Sequence, residues 1–331
     1  MRAVVVNELT GPDGLRVMDV AEPSGEHPRA DGHRVLVEVH SAGIAFPDLL
    51  QTRGEYQIST PPPFVSGGEF GGIVREASEG SGFAVGDRVA GMSIWGAMAE
   101  LALAIPKYTV KLPGSMSFAQ GAAMWLNYST AHFALERAGV RAEETVLVHG
   151  AAGGVGTAAL DLLRGLGARS IAVVSSDEKA DAARTAGADE VVRSTGPWLD
   201  QVRELTDGNG VDVMLDPVGG ERFTDSLRAL DVTGRLVVIG FAEGSIPTVK
   251  INRLLLRNLT LIGLALDPMD RRFPGTARRI SDEIQALAEQ GRIRPLIGQR
   301  LPFSDAVEAL RILDRRGAIG KLVVDVRPDV A

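Results

Sequence analysis

The sequence predicts an α/β protein in which an irregular, partly open β-barrel is joined to a doubly wound parallel sheet. Three observations carry that expectation. The first ~115 residues are strand-rich, with turn signals at short intervals. From Thr145 onward strands and helices alternate, the mark of parallel βαβ units. The third is the stretch 145–156, where the apolar run Val146-Leu147-Val148 stops at a glycine-rich turn that opens a helix. Strand, glycine turn and helix form the geometry that receives a dinucleotide pyrophosphate, so the second part reads as a Rossmann-type sheet.

Taken in order, residues 2–6, 34–40, 72–77, 87–90 and 99–104 read as strands. Gly11-Pro12-Asp13-Gly14, Ala30-Asp31-Gly32 and Ser78-Glu79-Gly80-Ser81-Gly82 supply turns between them, and Pro61-Pro62-Pro63 marks an extended loop. Residues 118–138 read as one long helix with a candidate break at Tyr128. Strands are then expected at 146–148, 170–174, 190–192, 211–215 and 235–239, alternating with helices from Val155 and over 179–186, 198–205 and 222–230. The apolar segment 259–266 supplies a late strand. Helices follow at 278–290, closed by Gly291, and at 304–313, opened by a Ser304-Asp305 cap, before a last strand at 320–326. The expected domains are residues 1–120 with 268–331, and residues 121–267.

Composition narrows the function. At 331 residues and 45% hydrophobic content the chain can bury two cores. A net charge of −7 argues against nucleic acid or an anionic membrane as partner. No apolar run approaches the ~20 residues that span a bilayer. The start, Met1-Arg2-Ala3-Val4-Val5-Val6, reads as a strand rather than a signal peptide, so a cytoplasmic location is expected. Cysteine is absent, which excludes disulfides and thiolate chemistry.

The turn has the spacing Ala151-x-Gly153-x-x-Gly156, with alanine at the first glycine position of the dinucleotide fingerprint. Gly153, Gly154 and Val155 are expected against the pyrophosphate, where small residues allow close backbone approach and a helix N-terminus offers N–H groups. Cofactor choice is read after the next strand. Ser175-Ser176 with Lys179, and Arg193 after the third strand, suit a 2′-phosphate and favour NADPH over NADH. Asp177 and Glu178 complicate that reading, because with Lys179 they also read as the start of a solvated helix. Ile239-Gly240-Phe241 ends a strand on the side where such sheets bind ligands, and is expected to border the nicotinamide.

Six segments in order carry a wider resemblance: Ser41-Ala-Gly-Ile-Ala-Phe-Pro-Asp-Leu-Leu50, Pro63-Phe-Val-Ser-Gly-Gly-Glu-Phe-Gly-Gly-Ile-Val74, Val85-Gly-Asp-Arg-Val89, Val146 to Gly156, Asp216-Pro-Val-Gly-Gly220 and Gly234-Arg-Leu-Val-Val-Ile-Gly-Phe-Ala242. Along essentially its whole length the chain resembles the zinc-independent medium-chain dehydrogenases/reductases, and among them the NADPH:quinone oxidoreductases. That resemblance implies a discontinuous GroES-like barrel domain, an inserted nucleotide domain and an active site in the cleft between domains. It implies that the Asn127–Thr130 region faces the nicotinamide, with Asn127 and Thr130 as cofactor contacts. Helix-internal packing is the alternative for both.

The resemblance also implies that Tyr56 lines the acceptor pocket. Tyr56 reads either as a donor to a substrate carbonyl, since a phenol stays protonated at pH 7, or as a wall that only shapes the pocket. Zinc-dependent relatives carry cysteine near Ala45 and histidine near Gly68, positions that here cannot bind a metal. Ala45 also replaces an asparagine common among the quinone reductases. His40, His132 and His149 read as core or supporting histidines, and Asp48 and Glu69 as structural. The expected function is metal-free hydride transfer from NADPH to a quinone or an α,β-unsaturated carbonyl. The alternatives are an enoyl-thioester or enone reductase on the same fold and a catalytically silent NADPH-binding protein. A homodimer is expected, because the strand within 259–266 would otherwise be an exposed edge and relatives pair it across a two-fold axis.

Overall fold

The structure, a computed structural model, describes residues 1–327. It divides into two compact units, Met1–Asn127 with the chain from Gly275 onward, and Tyr128–Pro274.

The first unit opens with β1 (Arg2–Val6), β2 (Leu15–Asp19), β3 (Val35–Ile44), α1 (Phe46–Thr52), β4 (Phe64–Val65), β5 (Glu69–Ala77), β6 (Arg88–Met92), β7 (Leu101–Leu103), β8 (Thr109–Lys111) and α2 (Phe118–Ala122). A small sheet has the order β2-β1-β4, antiparallel throughout. Val37, Val39, Phe70, Val89, Met98 and Ala102 are buried in one core beneath the larger sheet. α2 is opened by a capping box in which Ser117 and Gln120 satisfy each other's N–H groups. It lies so close to β3 that a Cβ on Gly43 would stand 1.9 Å from the Ala122 carbonyl oxygen, and only glycine permits that approach.

The expected single helix over 118–138 is two helices, α2 and α3 (Trp125–Ala138), and the break comes at Ala123 and Met124 rather than at Tyr128. Its partner is distant in sequence: the Leu126 N–H at the start of α3 donates to Glu69 Oε1 at 2.7 Å.

The second unit carries β9 (Thr145–His149), α4 (Gly154–Leu166), β10 (Arg169–Val174), α5 (Asp177–Ala186), β11 (Glu190–Arg193), α6 (Trp198–Leu205), β12 (Val211–Asp216), α7 (Phe223–Ala229), β13 (Leu230–Val238), α8 (Asn252–Leu255), β14 (Thr260–Gly263) and α9 (Leu266–Arg272). The six strands are parallel in the order β11-β10-β9-β12-β13-β14. The order reverses at β9/β12, which makes that pair the switch point where such sheets receive ligands. Leu147, Ile171, Val192, Trp198, Met214 and Leu236 form the core around it. The late strand is shorter than expected, since β14 stops at Gly263 and Leu266 already belongs to α9.

The chain returns to the first unit through α10 (Thr276–Glu289), β15 (Ile297–Pro302), α11 (Ala306–Asp314) and β16 (Lys321–Asp325). β16 pairs with β3, with Leu322 opposite Ile44, and completes the sheet order β15-β16-β3-β5-β6-β8, with β7 also on β3. The expected Ser304-Asp305 cap is replaced by a 3₁₀ turn, and the Asp305 side chain makes no capping bond. The described chain is thus α/β, a GroES-like partly open barrel with a Rossmann-type doubly wound sheet. Among the described residues no helix is long and apolar enough to cross a membrane.

Candidate nucleotide and active site

All six strands of the second unit end on one edge of the sheet, and the expected nucleotide residues follow those ends. After β9, Gly150 takes a left-handed φ of 57° and its carbonyl accepts the Gly153 N–H at 2.9 Å. Gly153 is then the N-cap of α4. The N–H groups of Gly154, Val155 and Gly156 therefore have no intrahelical acceptor and sit at the positive end of the helix dipole. A Cβ on Gly156 would stand 2.5 Å from the Gly150 oxygen, so this glycine closes the turn. A Cβ on Gly153 would meet only that same oxygen at 3.3 Å and otherwise point into open space. The bare backbone surface is the cradle that a pyrophosphate requires.

The next two strand ends bring Ser175, Ser176, Lys179 and Arg193 together. Ser176 caps α5 by accepting the Lys179 N–H at 3.2 Å. The Lys179 ammonium reaches back to Ser175 Oγ at 3.4 Å. Arg193, at the end of β11, donates to the Ser175 carbonyl at 2.8 Å and pairs with the exposed carboxylate of Asp177. Two hydroxyls and two cations thus share one exposed corner, with one acid among them.

At the switch point, Asp216 Oδ1 accepts the N–H groups of Val218 and Gly219 at 2.8 and 2.9 Å. Its backbone carbonyl accepts the Ile239 N–H at 2.9 Å, so the loop carrying Ile239, Gly240 and Phe241 is tied to the end of β12. The pairing of β9 with β12 sets His149 beside Asp216. His149 is fully buried, and Nε2 lies 2.9 Å from Ser226 Oγ. The Ser226 hydroxyl also lies 3.2 Å from the Arg222 carbonyl oxygen, which ties the ring to α7. Burial pushes this imidazole down to about 4, against the pull of the Asp216 carboxylate. Asp216 and His149 brace the site, a role the sequence reading left unassigned for Asp216 although its Asp-Pro-Val-Gly-Gly segment was recognised.

In the first unit, Tyr56 is half-buried in the loop after α1. Asn127 is buried, and its side-chain amide donates to the Ala123 carbonyl at 3.3 Å, one turn back along the chain. Thr130, half-buried on α3, belongs to the second unit. Beneath Ala45 lies a buried charge cluster that sequence reasoning missed. Asp48 Oδ2 accepts the Ala45 N–H at 2.7 Å, and Glu69 forms an ion pair with Lys321, both side chains being almost fully buried. Burial lifts Asp48 to about 7, despite the N–H groups of Ala45 and Gly68 and the Lys321 charge. The Lys321 partner was out of reach of sequence reasoning because it lies on the last strand.

Comparison with known proteins matches both units. The alcohol dehydrogenase GroES-like domain matches residues 31–114 and the zinc-binding dehydrogenase model residues 154–291. The quinone oxidoreductase-like protein 2 of Bos taurus is 37% identical, over 98% of this chain and 93% of its own. The chain belongs to the quinone oxidoreductase group of the medium-chain dehydrogenases/reductases. A probable oxidoreductase from Mycobacterium abscessus superposes with a TM-score of 0.88 at 39% identity, covering 98% of each chain. The quinone oxidoreductase of Thermus thermophilus, also solved as its complex with NADPH, superposes with a TM-score of 0.80 at 33% identity, covering 98% of this chain and 100% of its own.

The residues at positions 45, 68 and 69 do not fit a zinc ion. Ala45 and Gly68 have no ligating side-chain atoms, and Glu69 is engaged by Lys321 and the Leu126 N–H. An ammonium already neutralises the Glu69 carboxylate, and Asp48 beside it accepts the Ala45 N–H.

Proposed function

We propose that this quinone oxidoreductase family member is a cytoplasmic, metal-free enzyme that reduces a quinone or an α,β-unsaturated carbonyl at the expense of NADPH. The observation that carries the cofactor choice is the corner formed by Ser175, Ser176, Lys179 and Arg193 beside the Gly153–Gly156 turn. NADPH supplies a hydride when bound. The N–H groups of Gly154, Val155 and Gly156 hold the pyrophosphate, and Lys179 and Arg193 hold the 2′-phosphate with the two serine hydroxyls. Ile239, Gly240 and Phe241 border the nicotinamide, as do Asn127 and Thr130. Tyr56 donates a hydrogen bond from its phenolic O–H to the acceptor oxygen as negative charge develops there. The residues bring the reactants to contact distance, and no covalent bond to the protein is needed.

The residues 1–120 with 268–331 and 121–267 serve as barrel and nucleotide domains in this reading. The working state is a homodimer joined at β14, the edge of the six-stranded sheet. Exposed Ile251, Leu255 and Leu256, just ahead of that strand, support it. A panel of quinones, enones and enoyl thioesters, read by the fall in NADPH absorbance, tests the function. Turnover with quinones or simple enones supports it. Turnover confined to enoyl thioesters makes the chain a thioester reductase, and NADPH binding without turnover makes it a silent binder.

A further inference from the structure

We propose that Asp177 sets the strength of cofactor selection, by holding Arg193 as an internal counter-ion that a 2′-phosphate must displace. The inference rests on the NADPH reading above and adds a residue which that reading does not use.

Arg193 is held at two points of its guanidinium. One terminal nitrogen pairs with the Asp177 carboxylate, and the other donates to the Ser175 carbonyl at 2.8 Å. Nε is buried with no hydrogen-bond partner among the described residues. The Ser175 bond fixes Arg193 at the strand end whatever Asp177 does. Asp177 is different: its side chain is 98% exposed, in the first turn of α5, where it can swing into water at little cost. Its carboxylate pairs with one terminal nitrogen of Arg193, on the same corner as Lys179, Ser175 and Ser176.

Counting formal charges, Lys179 and Arg193 offer two positive charges and Asp177 cancels one of them. A 2′-phosphate carries nearly two negative charges at neutral pH. It meets repulsion from Asp177 and has to break an existing ion pair before it gains its own. A cofactor with a plain 2′-hydroxyl meets neither cost. Asp177 thus lowers affinity for the phosphorylated cofactor without touching the other, and moderates selectivity that Lys179 and Arg193 would otherwise make steeper. An exposed ion pair of this kind is weak, so the expected effect is about two- to fivefold.

Calorimetric titration with 2′,5′-ADP, 5′-ADP, NADPH and NADH tests this on the parent, on Asp177→Asn and on Glu178→Gln. Asp177→Asn should bind 2′,5′-ADP and NADPH about two- to fivefold more tightly, with 5′-ADP and NADH unchanged. The gain should shrink as salt is raised, because it is electrostatic. Glu178→Gln removes a charge from the same helical turn but not the pair, and should give a smaller gain. If the parent prefers 2′-phosphorylated ligands but Asp177→Asn binds them no more tightly, the inference fails and the NADPH reading survives. If the parent shows no such preference, both fail. An equal gain from Glu178→Gln would overturn the role of the pair and assign the effect to general charge.

Discussion

A 2′-phosphate is close to dianionic at neutral pH, and in the proposed reading Lys179, in the first turn of α5, and Arg193, at the end of β11, are the cations that meet it. Each charge-assisted hydrogen bond is worth roughly 1.5–3 kcal/mol before exposure and salt discount it. Replacing both residues with alanine should raise the KM for NADPH by about 10- to 100-fold and leave that for NADH nearly unchanged. Equal losses for the two cofactors would mean that the pair supports the fold alone. Tyr56→Phe deletes one donor and keeps the ring. A donor aimed at a developing oxyanion is worth up to ~3–4 kcal/mol, and a quinone needs less of that help than an enone because its reduced ring is aromatic. The expected loss in kcat is about 3- to 10-fold with quinones and greater with enones, at unchanged NADPH affinity. Parent-like rates with both acceptors would leave Tyr56 as a wall. Asp48 gives a pH signature. Burial raises it from 3.8 to about 7, so between those values the folded protein holds a proton that the unfolded chain has released. Its contribution to stability is full below pH 3.8 and is lost as pH rises through 7. Asp48→Asn still offers an amide oxygen to the Ala45 N–H but removes the titration. The melting temperature of the parent relative to Asp48→Asn should fall from pH 4 to pH 7, and a constant difference would contradict the shift. His149 contributes with the opposite sign in both proteins, losing stability as pH falls from 6.5 toward 4, and cancels in the comparison.

At the scale of elements, the glycine turn between β9 and α4 separates folding from binding. Alanine at Gly156 would set Cβ 2.5 Å from the Gly150 oxygen and 2.6 Å from the Ala151 Cα, backbone atoms that cannot yield cheaply. Gly156→Ala should cost about 1–3 kcal/mol of stability and abolish tight NADPH binding. Gly153→Ala has an ordinary φ of −82° and one backbone neighbour at 3.3 Å, so it should lose less stability than Gly156→Ala, through the poorer N-cap, and is expected to bind NADPH more weakly in the proposed site. Equal melting temperatures for Gly156→Ala and the parent would contradict the packing argument. This turn was legible because its signal is local, as were β10 and α6, whose apolar periodicity falls within a few residues. The strands β2, β4, β8 and β15 were not read, β8 being only three residues long. β4 has two residues, while β2 and β15 are mostly exposed and so lack the alternation that marks a half-buried strand. The break between α2 and α3 was misplaced for a related reason: the acceptor that meets the Leu126 N–H is Glu69, on β5. The cation corner was legible because Lys179 and Arg193 follow strand ends. Lys321 beside Glu69 was not, since nothing near either residue announces the other.

For the whole molecule, the exposed edge of the sheet and the apolar residues beside it set the expected assembly. Ile246, Ile251, Leu255 and Leu256 are each more than 70% exposed, and Ile251, Leu254, Leu255 and Leu259 line one groove. Exposed apolar surface gathered in this way marks an interface. The parent should sediment as a dimer at micromolar concentration, and Ile251→Glu with Leu255→Glu as a monomer that keeps its fold. A monomeric parent would contradict the assembly. In the proposed reaction the barrel carries the acceptor without a metal and the sheet binds NADPH. The most direct test is turnover of NADPH with a quinone after prolonged chelation, with the metal content of the same sample measured alongside. The expected result is steady NADPH oxidation at an undiminished rate, by protein holding far less than one zinc ion per chain. Stoichiometric zinc whose removal stops the reaction would contradict it.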